Sequence, residues 1–248
     1  MSYCDFAEFY DVLTEDVDYS SQAKYLINLL CENGVGSGIL LDLACGTARL
    51  SIPLANAGFD VIAVDESEDM LSCAKAKLEQ SGTSGVMLLH QGMQELELYG
   101  TIDASVCMLD SLNHLEDFEQ VKKTIANVSL FMNPNGIFIF DVNTPYKHRE
   151  VLGDNTFVIE KDNLFCVWQN EFYEEENTVD ITLDFFYNIG GKYNRTNQQI
   201  TEKAYDINEL CLLLSQTGFE VIAIYDDMSK NPINEESERA VFVARKVK

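Results

Sequence analysis

The run Gly38–Met70, GILLDLACGTARLSIPLANAGFDVIAVDESEDM, decides how the rest of the chain is read. Ile39–Leu43 is an apolar run of strand length, with a carboxylate, Asp42, next to its end. The five residues Ala44-Cys45-Gly46-Thr47-Ala48 carry small side chains, so backbone amides there can approach a ligand closely. Arg49–Ala57 has helical spacing, with Leu50, Leu54 and Ala57 on one side, and Gly58 supplies the stop. Phe59–Val64 predicts a second buried strand that ends on Asp65, 19 residues after Gly46. A carboxylate at the end of the second parallel strand can accept both hydroxyls of a ribose lying over the first turn.

The spacing of the small residues narrows the nucleoside. A dinucleotide fingerprint reads G-x-G-x-x-G and cradles a pyrophosphate at a helix N-terminus. Here the small residues fall at Ala44, Gly46 and Ala48, and Ser51 stands where the third glycine belongs, which counts against an NAD-dependent dehydrogenase. DLACGTA instead resembles motif I of the class I S-adenosylmethionine-dependent methyltransferases, D-x-A/G-C-G-T-G, with Ala48 replacing the last glycine. VDESEDMLSCAKAKL resembles the segment that follows in that family, V-D-x-S-x-D-M-L-x-x-A. The plain alternative is a βαβ unit without a ligand.

The resemblance covers about residues 1–145 and 204–246. It implies a Rossmann-like, doubly wound, seven-stranded and mostly parallel sheet with an antiparallel last strand, and S-adenosyl-L-methionine as cofactor. By the same resemblance Asp65 holds the ribose, the Ala44–Gly46 backbone with Cys45 approaches the methionine portion, and Leu109 and Asp110 border the methyl group. The expected cofactor contacts also take in Tyr19, Asp42, Thr47, Glu66, Met70, Gly92 and Met93. Met70 lies against adenine in the family, yet serves equally as a core methionine. Gly92 stands where the family carries an aspartate for the adenine amino group, leaving the Met93 backbone, Gln91 or Glu95 as substitutes.

Composition removes other classes of function. With 17 basic and 41 acidic residues the net charge is −24, which repels phosphate backbones and anionic membranes, so nucleic acid is not expected as a partner. No apolar run reaches the roughly 18 residues of a membrane span, and MSYCDFAEFYD is acidic, unlike a signal peptide. Seven cysteines occur without C-x-x-C or zinc spacing, as in a reducing cytoplasm, and no metal site is expected. The acidity serves solubility, or it favours a cationic acceptor.

The remaining segments follow in order. Residues 1–34 predict a helical N-terminal cap, with Phe6, Phe9, Tyr10 and Leu13 at helical spacing and TEDVDYSSQ as a capped loop. The family's Y-D…D-Y pattern maps onto Tyr10 and Tyr19, which close over the cofactor or touch the acceptor; aromatic packing accounts for them as well. Val86–His90 and Ile102–Leu109 predict the third and fourth strands, the latter leading into Asp110-Ser111-Leu112-Asn113-His114. His114 sits at the predicted C-terminal rim of the sheet, where ligands bind in open α/β folds, and imidazole can take a proton near neutrality. It is the expected base or positioning group, with Tyr10 second, unless it only satisfies a loop carbonyl. Phe118–Met132 predicts a helix ended by Asn133-Pro134-Asn135-Gly136, and Ile137–Val142 the fifth strand.

The periodicity then changes. Residues 151–203 alternate apolar and polar side chains in short runs, predicting an inserted antiparallel β subdomain that divides a methyltransferase domain formed by 1–150 and 204–248. The insertion roofs the acceptor site or offers a face for a homodimer, and Arg195 within it reads as a solvated hairpin charge. TEKAYD lacks the His and Arg of the family's E-x-H-x-Q-R-x-Y stretch, so no relative's substrate transfers. The expected activity is methyl transfer to an amine or hydroxyl of a small molecule. The competing reading is a degenerate nucleoside-binding domain that senses or assembles without catalysis.

Overall fold

The structure, a computed structural model, describes residues 6–161 and 163–247. The elements run α1 (Phe6–Leu13), α2 (Tyr19–Glu32), β1 (Gly38–Leu43), α3 (Ser51–Asn56), β2 (Phe59–Asp65), α4 (Glu68–Ser81), β3 (Val86–His90), β4 (Ile102–Cys107), α5 (Phe118–Phe131) and β5 (Met132–Asn143). They continue with β6 (Thr156–Lys161), β7 (Leu164–Tyr173), β8 (Thr178–Ile189), β9 (Lys192–Lys203), α6 (Ile207–Gln216), β10 (Phe219–Asp226) and β11 (Arg239–Lys246).

Seven strands form one sheet in the order β10-β11-β5-β4-β1-β2-β3. β1 pairs in parallel with β2 and with β4, so the winding reverses direction at β1. β11 alone runs antiparallel, to both β5 and β10. The fold is the doubly wound one the resemblance implied. Its crevice lies beyond the carboxyl end of β1, at the reversal.

Both faces of the sheet are covered, which is why its strands read as apolar runs. Leu41, Leu43, Phe138, Phe140 and Phe242 pack against α5 and α6 through Val121, Ile125, Leu210 and Leu213. The alternate residues Leu40, Ile137, Ile139 and Val241 face α2 and α3 through Leu26, Leu30 and Leu54. The helices start on side-chain caps: Asp18 accepts from the Ser21 amide, Ser67 from Met70, Asp117 from Gln120 and Asp206 from Asn208 and Glu209.

Four strands make a second, antiparallel sheet in the order β6-β7-β8-β9. Gly190 and Gly191, both left-handed, close the β8–β9 hairpin. Its inner face, with Cys166, Ile181, Leu183 and Phe185, packs on α1, where Phe9 stacks on Phe185 at 4.7 Å. Arg195 donates to Asp184 at 2.7 Å and remains largely exposed, as a hairpin charge should.

Several boundaries move from their expected places. The first five residues of the expected helical cap lie outside the described residues. α3 is shorter than Arg49–Ala57, because Ala48 is left-handed (φ 61°) and Pro53 contributes no amide. The fourth strand stops at Cys107 rather than Leu109, since Leu109 and Asp110 turn left-handed (φ 58° and 53°). The fifth strand starts at Met132, five residues before Ile137, and absorbs the Asn-Pro-Asn-Gly run as an irregular beginning with a shifted register. At Gly136 a Cβ would meet two backbone oxygens at 2.9 Å, so only glycine fits. A π-helical turn over Lys147–Leu152 had no counterpart in the sequence reading.

Phe140 is fully buried, stacked on Phe242 at 4.7 Å. Phe140→Ala is expected to lower the unfolding free energy by about 3–5 kcal/mol. The exposed Tyr99, changed to alanine, is expected to leave the urea midpoint unchanged.

Candidate active site

The turn after β1 adopts an unusual backbone. Ala44, Gly46 and Ala48 are all left-handed (φ 60°, 54° and 61°), with ordinary residues between them. Three of its amides are bonded within the fold: Cys45 donates to the Val64 carbonyl, Gly46 to Asp65 and Ala48 to the Cys45 carbonyl. A left-handed alanine costs about 1–2 kcal/mol, so surrounding contacts must hold the turn. Asp65 supplies one of them: its Oδ2 accepts the Gly46 amide at 2.8 Å, and its Oδ1 the Ser67 amide at 2.9 Å. Burial raises the Asp65 pKa, and the Ser67 and Gly46 amides pull it back.

Beside the turn lies a cleft of ≈ 380 Å³. Of the residues singled out from sequence, Tyr10, Tyr19, Asp42, Ala44, Cys45, Gly46, Thr47 and Leu109 line it together. Arg49, Leu50, Met108 and Ser111 line it too, and the sequence reading had not marked them. Asp42 is 2% exposed and accepts from the Ser51 hydroxyl at 2.5 Å. Burial pushes its pKa up to about 6, against the pull of that hydrogen bond. Burial also raises the Cys45 thiol and, with help from Tyr19 and Asp110, the Tyr10 phenol. Tyr10 therefore stays protonated.

The other expected residues surround the cleft without lining it. The Glu66 carbonyl meets His90 Nε2 at 2.8 Å, and the Met70 amide donates to Ser67 Oγ. Gly92 opens the short 3-10 turn Met93–Glu95, and Met93 packs its sulfur 3.9 Å from Cys107. Gln91 commits its side-chain amide to both backbone groups of Glu97, so it does not replace the missing aspartate. Asp110 and His114 sit farther along the rim, with His114 Nε2 3.9 Å from Asp110 Oδ2 and its side chain 40% exposed.

A family model for a methyltransferase domain matches residues 40–136. A Bacillus subtilis (strain 168) protein, YqeM, that carries a methyltransferase assignment is 34% identical over 100% of this chain and 98% of its own. The crystal structure of an S-adenosylmethionine-dependent methyltransferase from Clostridium acetobutylicum ATCC 824 superposes with a TM-score of 0.90. It is 31% identical and covers 98% of each chain. The chain belongs to the S-adenosylmethionine-dependent methyltransferases. A glycine/sarcosine N-methyltransferase from Halorhodospira halochloris is also similar, 27% identical over 96% of this chain and 87% of its own.

Two features of this methyltransferase were invisible in local sequence. The first ties α1 to the motif turn: Asp11 accepts from Thr47 Oγ1 at 2.7 Å and pairs with Lys77, while Arg49 donates to the carbonyl of Thr14 and lies 4.3 Å from the Tyr19 ring centroid. The second is a shared cation. Arg239 on β11 donates to Asp110 at 2.5 Å and to Asp141 at 2.7 Å. Asp141 in turn accepts the amides of Leu109 and Asp110, which fixes their left-handed turn at the cleft. Burial opposes the charge on Asp110, but Arg239, then His114 and Lys147, hold it below the usual carboxylate range. Asp141 is buried more deeply, and burial lifts it despite the same guanidinium.

Arg239→Met would leave two buried carboxylates without their cation. The expected cost is about 3–5 kcal/mol at pH 7. The orphaned carboxyls take up protons more readily folded than unfolded, so the deficit should shrink as pH falls from 7 to 5. Urea unfolding at both pH values checks the magnitude and the sign.

Proposed function

We propose that this methyltransferase moves the methyl group of S-adenosylmethionine to a nitrogen or oxygen of a small-molecule acceptor, bound at the rim where Asp110 and His114 stand. The observation that carries the reading is the left-handed Ala44–Gly46–Ala48 turn, with carboxylates at Asp42 and Asp65 on either side, at the reversal of the sheet. An acidic pair beside a turn of small residues fits a ligand with an ammonium group and a ribose.

In this reading Asp42 faces the cofactor's ammonium, the motif turn borders its methionine portion, and Asp65 faces its ribose. A Cβ at Gly46 would stand 3.9 Å from the Tyr10 ring, between the turn and the cap. Met70 and the Met93 backbone border the adenine, with Glu66 and Gly92 beside them. When bound, the cofactor supplies a sulfonium methyl that is displaced directly: the acceptor's lone pair forms the new bond to carbon as the carbon–sulfur pair retires to sulfur. The protein's part is alignment, since a direct displacement gains most from fixed geometry. Leu109 shapes the methyl position, Tyr10 orients the acceptor and His114 takes its proton. The inserted sheet, residues 151–203, roofs the acceptor site, and the −24 charge disfavours nucleic-acid acceptors. No helix among the described residues is long and apolar enough to cross a membrane, and a cytoplasmic setting belongs to the same reading. The N-methyltransferase relative supports a nitrogen acceptor.

Calorimetric titration with S-adenosylmethionine, S-adenosylhomocysteine and NAD tests the reading: the first two should saturate and NAD should not. Asp65→Ala should remove a charge-assisted contact of about 1.5–3 kcal/mol, a tenfold or larger loss of affinity; unchanged binding refutes the ribose assignment. Because Asp42 must be ionised to pair with an ammonium, cofactor affinity should fall as pH drops through about 6, and Asp42→Asn should flatten that dependence. His114→Ala should keep cofactor affinity and lower turnover.

A further inference from the structure

Glu202, near the end of β9, is 5% exposed yet has no lysine or arginine within 4.0 Å among the described residues. Its Oε2 accepts from Asn143 Nδ2 at 2.9 Å and faces His148 Nε2 at 3.4 Å. His148 is fully buried, and neither ring nitrogen completes a hydrogen bond among the described residues. A carboxylate taken out of water without a lysine or arginine beside it is costly, and one amide with an imidazole 3.4 Å away leaves its second oxygen uncompensated. Such a group is kept where something else supplies the positive charge.

Its neighbours show where that charge would come from. One oxygen of Glu202, one of Asp110 and a ring nitrogen of His114 all lie within 4.8 Å of one another. Asp110 already gives one oxygen to Arg239. His114 is the solvent-facing member, whereas the Asp110 and Glu202 side chains are 18% and 6% exposed. The three polar groups converge, two carboxylates and an imidazole, with the imidazole on the solvent side. Asp110 follows Leu109, which lines the cleft, and acts electrostatically on Tyr10 across it.

We propose that Asp110, His114 and Glu202 form the acceptor-nitrogen subsite, and that Glu202 makes the enzyme selective for amines carried in as ammonium over alcohols. The inference rests on the reading of the adjoining cleft as the cofactor site. An ammonium has three donors for the two carboxylates and the imidazole; a hydroxyl has one and no charge. The amine must be neutral to attack, so one N–H proton passes to the free ring nitrogen of His114. The lone pair left on nitrogen is then available to the methyl carbon. Glu202 touches the bound amine without taking the proton, so it determines specificity.

The test uses full-length protein saturated with S-adenosylhomocysteine and titrated calorimetrically with matched probes, cyclohexylamine against cyclohexanol and glucosamine against glucose. Amines should bind and alcohols should not. Glu202→Gln should weaken amine binding tenfold or more, as loss of a charge-assisted contact of about 1.5–3 kcal/mol implies. Its affinity for S-adenosylhomocysteine should stay within twofold. Glu202→Asp, which keeps the charge, should retain amine selectivity, with thermal melting confirming that both variants fold. Equal binding of alcohols, undiminished amine binding by Glu202→Gln, or no amine binding at all overturns the proposal. Stoichiometric Mn²⁺ binding that Glu202→Gln abolishes also overturns it, by making the trio a metal centre. If S-adenosylhomocysteine fails to bind, the cofactor reading falls by itself, and amine titration of the free protein still decides the subsite.

Discussion

The hydrogen bond from the Gly46 amide to Asp65 fixes the part of the chain on which the site depends. It links the turn after β1 to the end of β2 across the reversal of the sheet. A turn with three left-handed residues, two of them alanines, would not persist as an isolated peptide. The carboxylate holds it from one side, and Thr47, bonded to Asp11, holds it from the other. Once the turn is fixed, the cleft has a floor, α1 has a place to dock and Asp42 is committed to burial. The same principle operates at the opposite wall. There Asp141 holds the left-handed pair Leu109–Asp110, and Arg239 neutralises both carboxylates. Each wall is a strained backbone fastened by a buried aspartate.

That arrangement explains what could be read from sequence. The order Ile39–Leu43, small-residue turn, helix, Phe59–Asp65 is local, and every piece is decided by neighbours within a few positions. Burial on both faces of the sheet made the strands continuous apolar runs, and side-chain caps marked the starts of α2 and α4. The hairpins of the inserted sheet announced themselves by alternation of apolar and polar side chains. The expected residues that converge on one cleft belong, Leu109 apart, to two segments, the strand end with its motif turn and the cap above it.

What escaped the sequence reading is non-local. Arg239 lies 98 residues from Asp141 and 129 from Asp110, and no spacing rule connects them. Glu202 comes from the last strand of the insertion and meets His114 only because β9 returns to the rim beside it. Strand ends were misplaced for a related reason. The apolar side chains of Met108 and Leu109 continue the pattern of β4, yet Asp141 draws the backbone there into a turn that hydrophobicity does not encode. A charged residue inside an apolar strand, such as Asp141 in GIFIFDVN, is the local hint that a partner must exist elsewhere.

The first helix owes its order to what surrounds it. At eight residues, α1 is well below the length at which a helix holds together in water. Tertiary contacts hold it: Asp11 bonds to Thr47 and Lys77 on one side, and Phe9 stacks on Phe185 on the other, with Phe6, Val12 and Leu13 packed on the same cluster. Tyr10 is therefore placed over the cleft by a segment with little stability of its own. Tyr10 keeps its place over the cleft through those tertiary contacts, and the order of the cover is tied to the packing of the second sheet.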